Sequence, residues 1–293
     1  TAQLRDYHAQ GYAYEQMAIL FRTNLGIRFV MDALMKGGIP FHMKDAIPNL
    51  FAHWISLDII AYLRLVSGTG NTRANWLRIM NRPNRYIKRE ALAPFTSDIS
   101  VAQLKAYYQD KDWMLERLDR LEYDLSIMKR MSPYAAIHYL SNAMKYQDYL
   151  KDYAKEHHIN EQELLDVLNA VHESSQSCRT FAEWFAYIDT YTEELQKQAK
   201  SPASKDANNE SGVCLCTLHC AKGLEYPIVF IPDINEDNIP HARAAVDADL
   251  EEERRLFYVG ITRAKEHLHL YCVGEASGKE KFPSRFLEEL NEM

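Results

Sequence analysis

Three short runs, "QMAILFR" (16–22), "VCLCTLH" (213–219) and "IVFIPDI" (228–234), are almost continuously apolar. A strand with one wet face alternates apolar and polar residues. A strand covered on both faces does not, which is the pattern of parallel strands joined by crossovers. The first run leads into "IRFVMDALMKGGIPF", where Phe29, Val30, Ala33 and Leu34 repeat at helical spacing and Gly37-Gly38 before Pro40 stops the helix. "HLHLYCV" (267–273) reads as a further strand, and a helix from about Asp249 to Arg263 precedes it, acids first, as its dipole favours. The pattern is that of an α/β fold with a mostly parallel sheet flanked by helices. Its pieces lie at opposite ends of the chain.

Residues 46–195 have a different texture. "FAHWISLDIIAYLRLVSG", "SPYAAIHYLSNAMKYQDYLKDYAKEH" and "NEQELLDVLNAVHESSQ" are amphipathic with helical period, and no alternating strand stands out. The expected organisation is one discontinuous α/β domain, residues 1–45 and 206–293, interrupted by a largely α-helical inserted domain, residues 46–205. "KQAKSPASKDANNESG" (197–212) is polar and reads as a loop. The start at Thr1 rather than methionine, with a direct entry into a strand, makes a piece of a longer protein the expectation.

The net charge of −7 argues against a wholly electrostatic nucleic-acid binder. Residues 64–90 nevertheless concentrate Arg64, Arg73, Arg78, Arg82, Arg85, Lys88 and Arg89 against Glu90, either a phosphate-contact surface or a solvated helix face. The five cysteines lack the spacing of a disulfide framework and read as free thiols. Cys214, Cys216, His219 and Cys220 are close together, but Cys214 and Cys216 alternate within a strand, and small buried side chains are a better reading than a metal site. No run is long and apolar enough to cross a membrane and no signal peptide opens the chain, so a cytoplasmic protein is expected.

"CTLHCAKGLEYPIVF" (216–230) holds Lys222 and Gly223 in a strand-to-loop setting of the kind that binds phosphates, yet no G-x-x-x-x-G-K-[ST] loop occurs in the chain. With "YEQMAILFRTNLGIR" (14–28) and "EEERRLFYVGITRAKEHLHL" (251–270), this stretch resembles, in order and spacing, the C-terminal half of superfamily 1A DNA helicases of the UvrD, PcrA and Rep type. The resemblance implies a second RecA-like motor domain carrying the inserted helical domain. ATP with Mg2+ would lie between it and a first motor domain in cis, which brings the phosphate loop and the metal ligands; no metal ligand is expected here. It also implies 3'-5' movement along single-stranded DNA up to a duplex junction, and no ATPase activity for this chain alone.

By the same resemblance, Arg263 in "GITRA" is the catalytic arginine finger, and Gly223 and Glu225 join it in binding the nucleotide. Arg22, Asn24, Thr217 and His219 match positions facing the single strand. Arg85, Lys88 and Arg89 lie near the place where relatives bring a glycine-rich R-G-I-G up to the duplex, but here the stretch is Arg85-Tyr86-Ile87-Lys88. "EDNIP" (236–240) likewise carries Asp237 where the family pattern E-G-x-x-P has glycine. Arg254 and Arg255 are expected to pair with acids on their own helix. The alternative reading is a non-catalytic DNA- or partner-binding module with a decayed motor fold.

Overall fold

The computed structural model describes residues 1–44, 48–70, 72–96, 98–200, 211–241, 244, 247–276 and 279–291. The chain divides into two compact units, Thr1–Ile47 with Glu194–Met293, and Pro48–Glu193. The second crossing between units therefore falls at 193/194, where the sequence suggested 205/206.

In the first unit, β1 (Met17–Phe21), β2 (Phe41–Met43), β3 (Val213–Thr217), β4 (Tyr226–Ile231) and β5 (Ala264–Leu270) form a parallel sheet in the order β2-β3-β1-β4-β5. β1 is buried along its whole length. On one face Ala18, Leu20, Cys214, Cys216, Val229 and Ile231 pack with Leu256, Phe257 and Phe286 from the two C-terminal helices described below. The opposite side chains, Ile19, Phe21 and Leu215, are buried on the other face, the side to which α2 (Asn24–Gly37) belongs through buried Ile27, Met31 and Leu34. Gly38 ends α2 in the left-handed region at φ +62°, the stop expected from the sequence.

Two expectations are corrected here. The chain does not run straight into β1: residues Ala2–Ala9 first form a helix, α1. It lies against the edge strand β5, where Tyr7 Oη and His269 Nε2 are 2.7 Å apart and Tyr12 donates to Glu266 at 2.6 Å. The last strand starts at Ala264 and ends at Leu270, earlier than read, because its exposed first half carries Lys265, Glu266 and His267 and has no apolar signature.

Gly212 fixes the start of β3. Its φ is +93°, and a Cβ there would stand 2.3 Å from the carbonyl carbon of Pro40, so only glycine lets β3 enter beside β2. The N–H of Gly212 donates to Glu15 at 2.8 Å, and that of Val213 to the Pro40 carbonyl at 2.9 Å.

The regular elements described in the second unit are all helices: α3 (Trp54–Ser67), α4 (Thr72–Ile79), α5 (Val101–Tyr107), α6 (Asp112–Met128), α7 (Pro133–Asn142), α8 (Tyr146–His157), α9 (Glu161–Ser174) and most of α10 (Phe181–Lys200). Part of the loop expected at 197–212 is thus helix, as α10 runs to Lys200, and residues 201–210 lie outside the described residues. α3 is central, with Ile55, Ile59, Tyr62 and Leu63 fully or nearly fully buried. Asp58 on the same helix is fully buried and is held by Arg78 at 2.8 Å, Arg82 at 2.9 Å and the Tyr146 hydroxyl at 2.9 Å. Burial pushes its carboxyl above the usual range, against the pull of these three donors.

The chain closes with α11 (Asp247–Ile261) and α12 (Arg285–Asn291) in the first unit. Among the described residues no helix is long and apolar enough to cross a membrane.

Candidate nucleotide and nucleic-acid sites

The parallel sheet has two ends, and the residues singled out in the first unit divide between them. Arg22 and Asn24 follow the end of β1. Thr217 ends β3, in register with Phe21, and His219 is exposed in the turn that follows. Gly223, Glu225 and Arg263 stand at the opposite end, where β4 and β5 begin. The segment 218–225 joins the two groups.

At the first end, Arg22 is not presented freely. Its Nε and Nη2 grip Glu253 of α11 at 2.8 and 2.5 Å, with side-chain exposures of 18% and 10%. Glu253 also accepts the His241 N–H at 3.0 Å. Burial works to raise its carboxyl, but Arg22 and the His241 N–H outweigh it and hold Glu253 below the usual carboxylate range. Asn24 Oδ1 is buried with no hydrogen-bond partner among the described residues, a cost of about 1–3 kcal/mol. Thr217 Oγ1 accepts the Cys220 N–H at 3.4 Å, and the Thr217 carbonyl accepts that of Ala221 at 3.0 Å, starting a tight turn.

At the other end, Gly223 adopts φ +86° in open space. Glu225 is exposed and pairs with Lys265 at 3.2 Å. Arg263, two residues past α11, donates to the Val259 carbonyl at 2.8 Å, the Leu224 carbonyl at 3.0 Å and Thr262 Oγ1 at 2.9 Å. Its own carbonyl accepts the Tyr226 N–H at 2.9 Å. The guanidinium therefore caps α11 and ties it to segment 218–225. Arg254 pairs with Glu251 on its own helix and also with Glu289 of α12, and Arg255 pairs with Glu252.

In the second unit, much of the basic stretch turns inward. Arg78 and Arg82 serve Asp58, and Arg73 donates to the Leu92 carbonyl. Arg85 donates to the carbonyls of Ile79 and Pro83 and lies 5.6 Å from the Tyr62 ring centre. Lys88 and Arg89 are exposed. Of the positions where the family pattern has glycine, Tyr86 has φ +60° and Asp237 φ +70°, in the left-handed region, whereas Lys88 is extended at φ −79°. Cys214 and Cys216 are buried in the core and Cys220 is exposed, and no group of three potential ligands is poised for a metal among the described residues.

Glu253 was missed in the sequence. Its signal was present: Glu253, Leu256, Phe257 and Gly260 recur at helical spacing, and all four are buried, so a carboxylate on that stripe needs a cationic partner.

The profile of the UvrD-like helicase C-terminal domain matches residues 1–274. The chain belongs to this family. It is 29% identical to a Bacillus subtilis protein named "Putative ATP-dependent DNA helicase YjcD", over 99% of this chain and 38% of that protein. It is 28% identical to the ATP-dependent DNA helicase PcrA of Staphylococcus epidermidis and to that of Staphylococcus aureus, in each case over 99% of this chain and 41% of the relative. The UvrD-like chain thus spans about two fifths of the length of these relatives, whose names describe whole ATP-dependent enzymes.

Proposed function

We propose that this UvrD-like chain is the second motor half of an ATP-dependent DNA helicase or translocase, with no ATPase activity alone, working with a first motor domain in cis. In this reading Arg263 is the arginine finger on the γ-phosphoryl group, Gly223 and Glu225 meet the nucleotide, and Arg22, Asn24, Thr217 and His219 form the track for a single strand leading to a duplex junction. Lys88 and Arg89, with Arg85 behind them, belong to the junction side. ATP arrives with Mg2+ whose ligands are not on this chain, and the protein works on DNA in the cytoplasm.

The observation that carries the reading is the path of segment 218–225. Thr217 and His219 lie at its start, Gly223 and Glu225 at its finish, and Arg263 holds its Leu224 carbonyl. A guanidinium that leaves Val259 and Leu224 for a phosphate releases the segment that ends at the strand-facing residues.

The test is Arg263→Ala in the intact enzyme. DNA-stimulated ATP turnover is expected to fall by about 10³-fold or more, the range for arginine fingers, with ATP binding retained. Because Arg263 also caps α11, the melting temperature of the variant is measured alongside. Wild-type turnover in a folded variant would leave Arg263 a helix cap alone.

A further inference from the structure

We infer that Tyr86 and Trp113 form a base-stacking platform for single-stranded nucleic acid on the helical unit, a site of a kind that the glycine-rich family pattern does not contain. The inference rests on the DNA-translocating reading above and names a contact that reading does not include. Tyr86 projects from the loop between α4 and α5 with 59% of its surface exposed, and Trp113 from the first turn of α6 with 49% exposed. Arg117, one turn further along α6, lies 5.0 Å from the Tyr86 ring centre and 5.1 Å from that of Trp113. One guanidinium thus faces two aromatic rings that come from different elements.

The loop is built to present the ring. Asn81 Oδ1 accepts the N–H groups of Arg85 at 3.3 Å and Ile87 at 2.9 Å, Asn84 Oδ1 accepts that of Tyr86 at 3.1 Å, and the Tyr108 hydroxyl accepts that of Lys88 at 2.7 Å. These bonds hold Tyr86 at φ +60°, a backbone region a bulky L-residue enters only under constraint. Core packing gains nothing from it, since the ring is on the surface.

Chemistry favours a nucleic-acid strand as the occupant. Flat exposed rings stack on any base, and the exposed cations Lys88, Arg89 and Arg117 beside them suit the backbone between bases. Asp112 and Glu116 share α6 with Trp113, so charge alone does not make this a phosphate surface. The ring faces decide it.

The experiment is fluorescence anisotropy of the full chain with a labelled oligothymidylate of about 15 nucleotides and with an abasic strand of equal length. Tyr86→Gly and Trp113→Ala are each expected to weaken oligothymidylate binding about tenfold, Tyr86→Phe to bind like wild type, and abasic binding to be equal in all four proteins. Tyr86→Gly removes the constraint at φ +60° and should melt no lower than wild type, so its loss of binding is not unfolding. If wild type binds oligothymidylate and the glycine and alanine variants match it, or if they lose abasic binding equally, the platform is overturned while the helicase reading stands. If wild type binds no strand at all, both fall.

Discussion

Arg22 donates to both oxygens of Glu253 across the end of the sheet, with little of either side chain exposed. The pair is structural before it is anything else. Glu253 is held below the usual carboxylate range, so its contribution is fully present above the unfolded value near 4.5 and is lost as pH falls through the lower folded value. Glu253→Gln should therefore lower stability at neutral pH by about 2–3 kcal/mol, less than a fully buried pair because Arg22 is partly wet. The gap between variant and wild type should close as pH falls below that range. Melting curves at a series of pH values check this, and a gap that stays constant into acid would show that the carboxylate charge is not what matters. The residue scale also holds the two glycine positions filled by Tyr86 and Asp237. Both have a left-handed backbone that glycine would adopt without strain, whereas Lys88, at the second glycine of the R-G-I-G pattern, is extended at φ −79°.

Helix α11 shows how an element is set by what it must pass. Its buried stripe ends at Gly260, where an added Cβ would stand 2.5 Å from Leu218 Cδ2 and 3.2 Å from Ile231 Cδ1. Both of these side chains are themselves buried, so neither can swing into solvent. Gly260→Ala is expected to destabilise the chain by about 1–3 kcal/mol through overpacking, despite the better helix propensity of alanine. Denaturant unfolding measures it, and an unchanged or raised midpoint would mean that α11 does not sit this close to β3 and β4. The same element explains what was legible. β1, β3 and β4 announced themselves because both faces are covered, and α2 because its stripe and its glycine stop agree. α1 was silent because Leu4 is its only buried residue, and the first half of β5 because an exposed edge needs no apolar residues. The residues proposed to face the strand and the nucleotide were legible only as motif members. That Arg22 is paired depended on Glu253, 231 residues away in sequence, and that Arg85 turns inward depended on the path of its own loop, which brings the carbonyls of Ile79 and Pro83 to the guanidinium.

At the scale of the whole molecule, two ends of a sheet must act together if ATP turnover is to move a strand. The separation is about one strand length, roughly 17 Å, too far for side chains at one end to touch a ligand at the other. Segment 218–225 spans it in one short piece of backbone, begun by the turn at Thr217 and finished by Gly223 at φ +86°. In the open space around Gly223 a methyl group meets no atom, so Gly223→Ala acts through its backbone conformation alone, with a cost of about 1–3 kcal/mol if the path is kept. If the segment shifts instead, the link between the ends changes while both sets of side chains remain. In the intact enzyme Gly223→Ala is therefore expected to weaken ATP binding but, at saturating ATP, to keep most DNA-independent turnover and single-strand affinity while losing most of the stimulation of one by the other. Steady-state turnover with and without oligonucleotide, beside anisotropy on the same preparation, separates the cases. Equal loss in every measurement would confine Gly223 to its contact with the nucleotide, with no part in the link, and unchanged stimulation would mean that the signal between the two ends travels by another route.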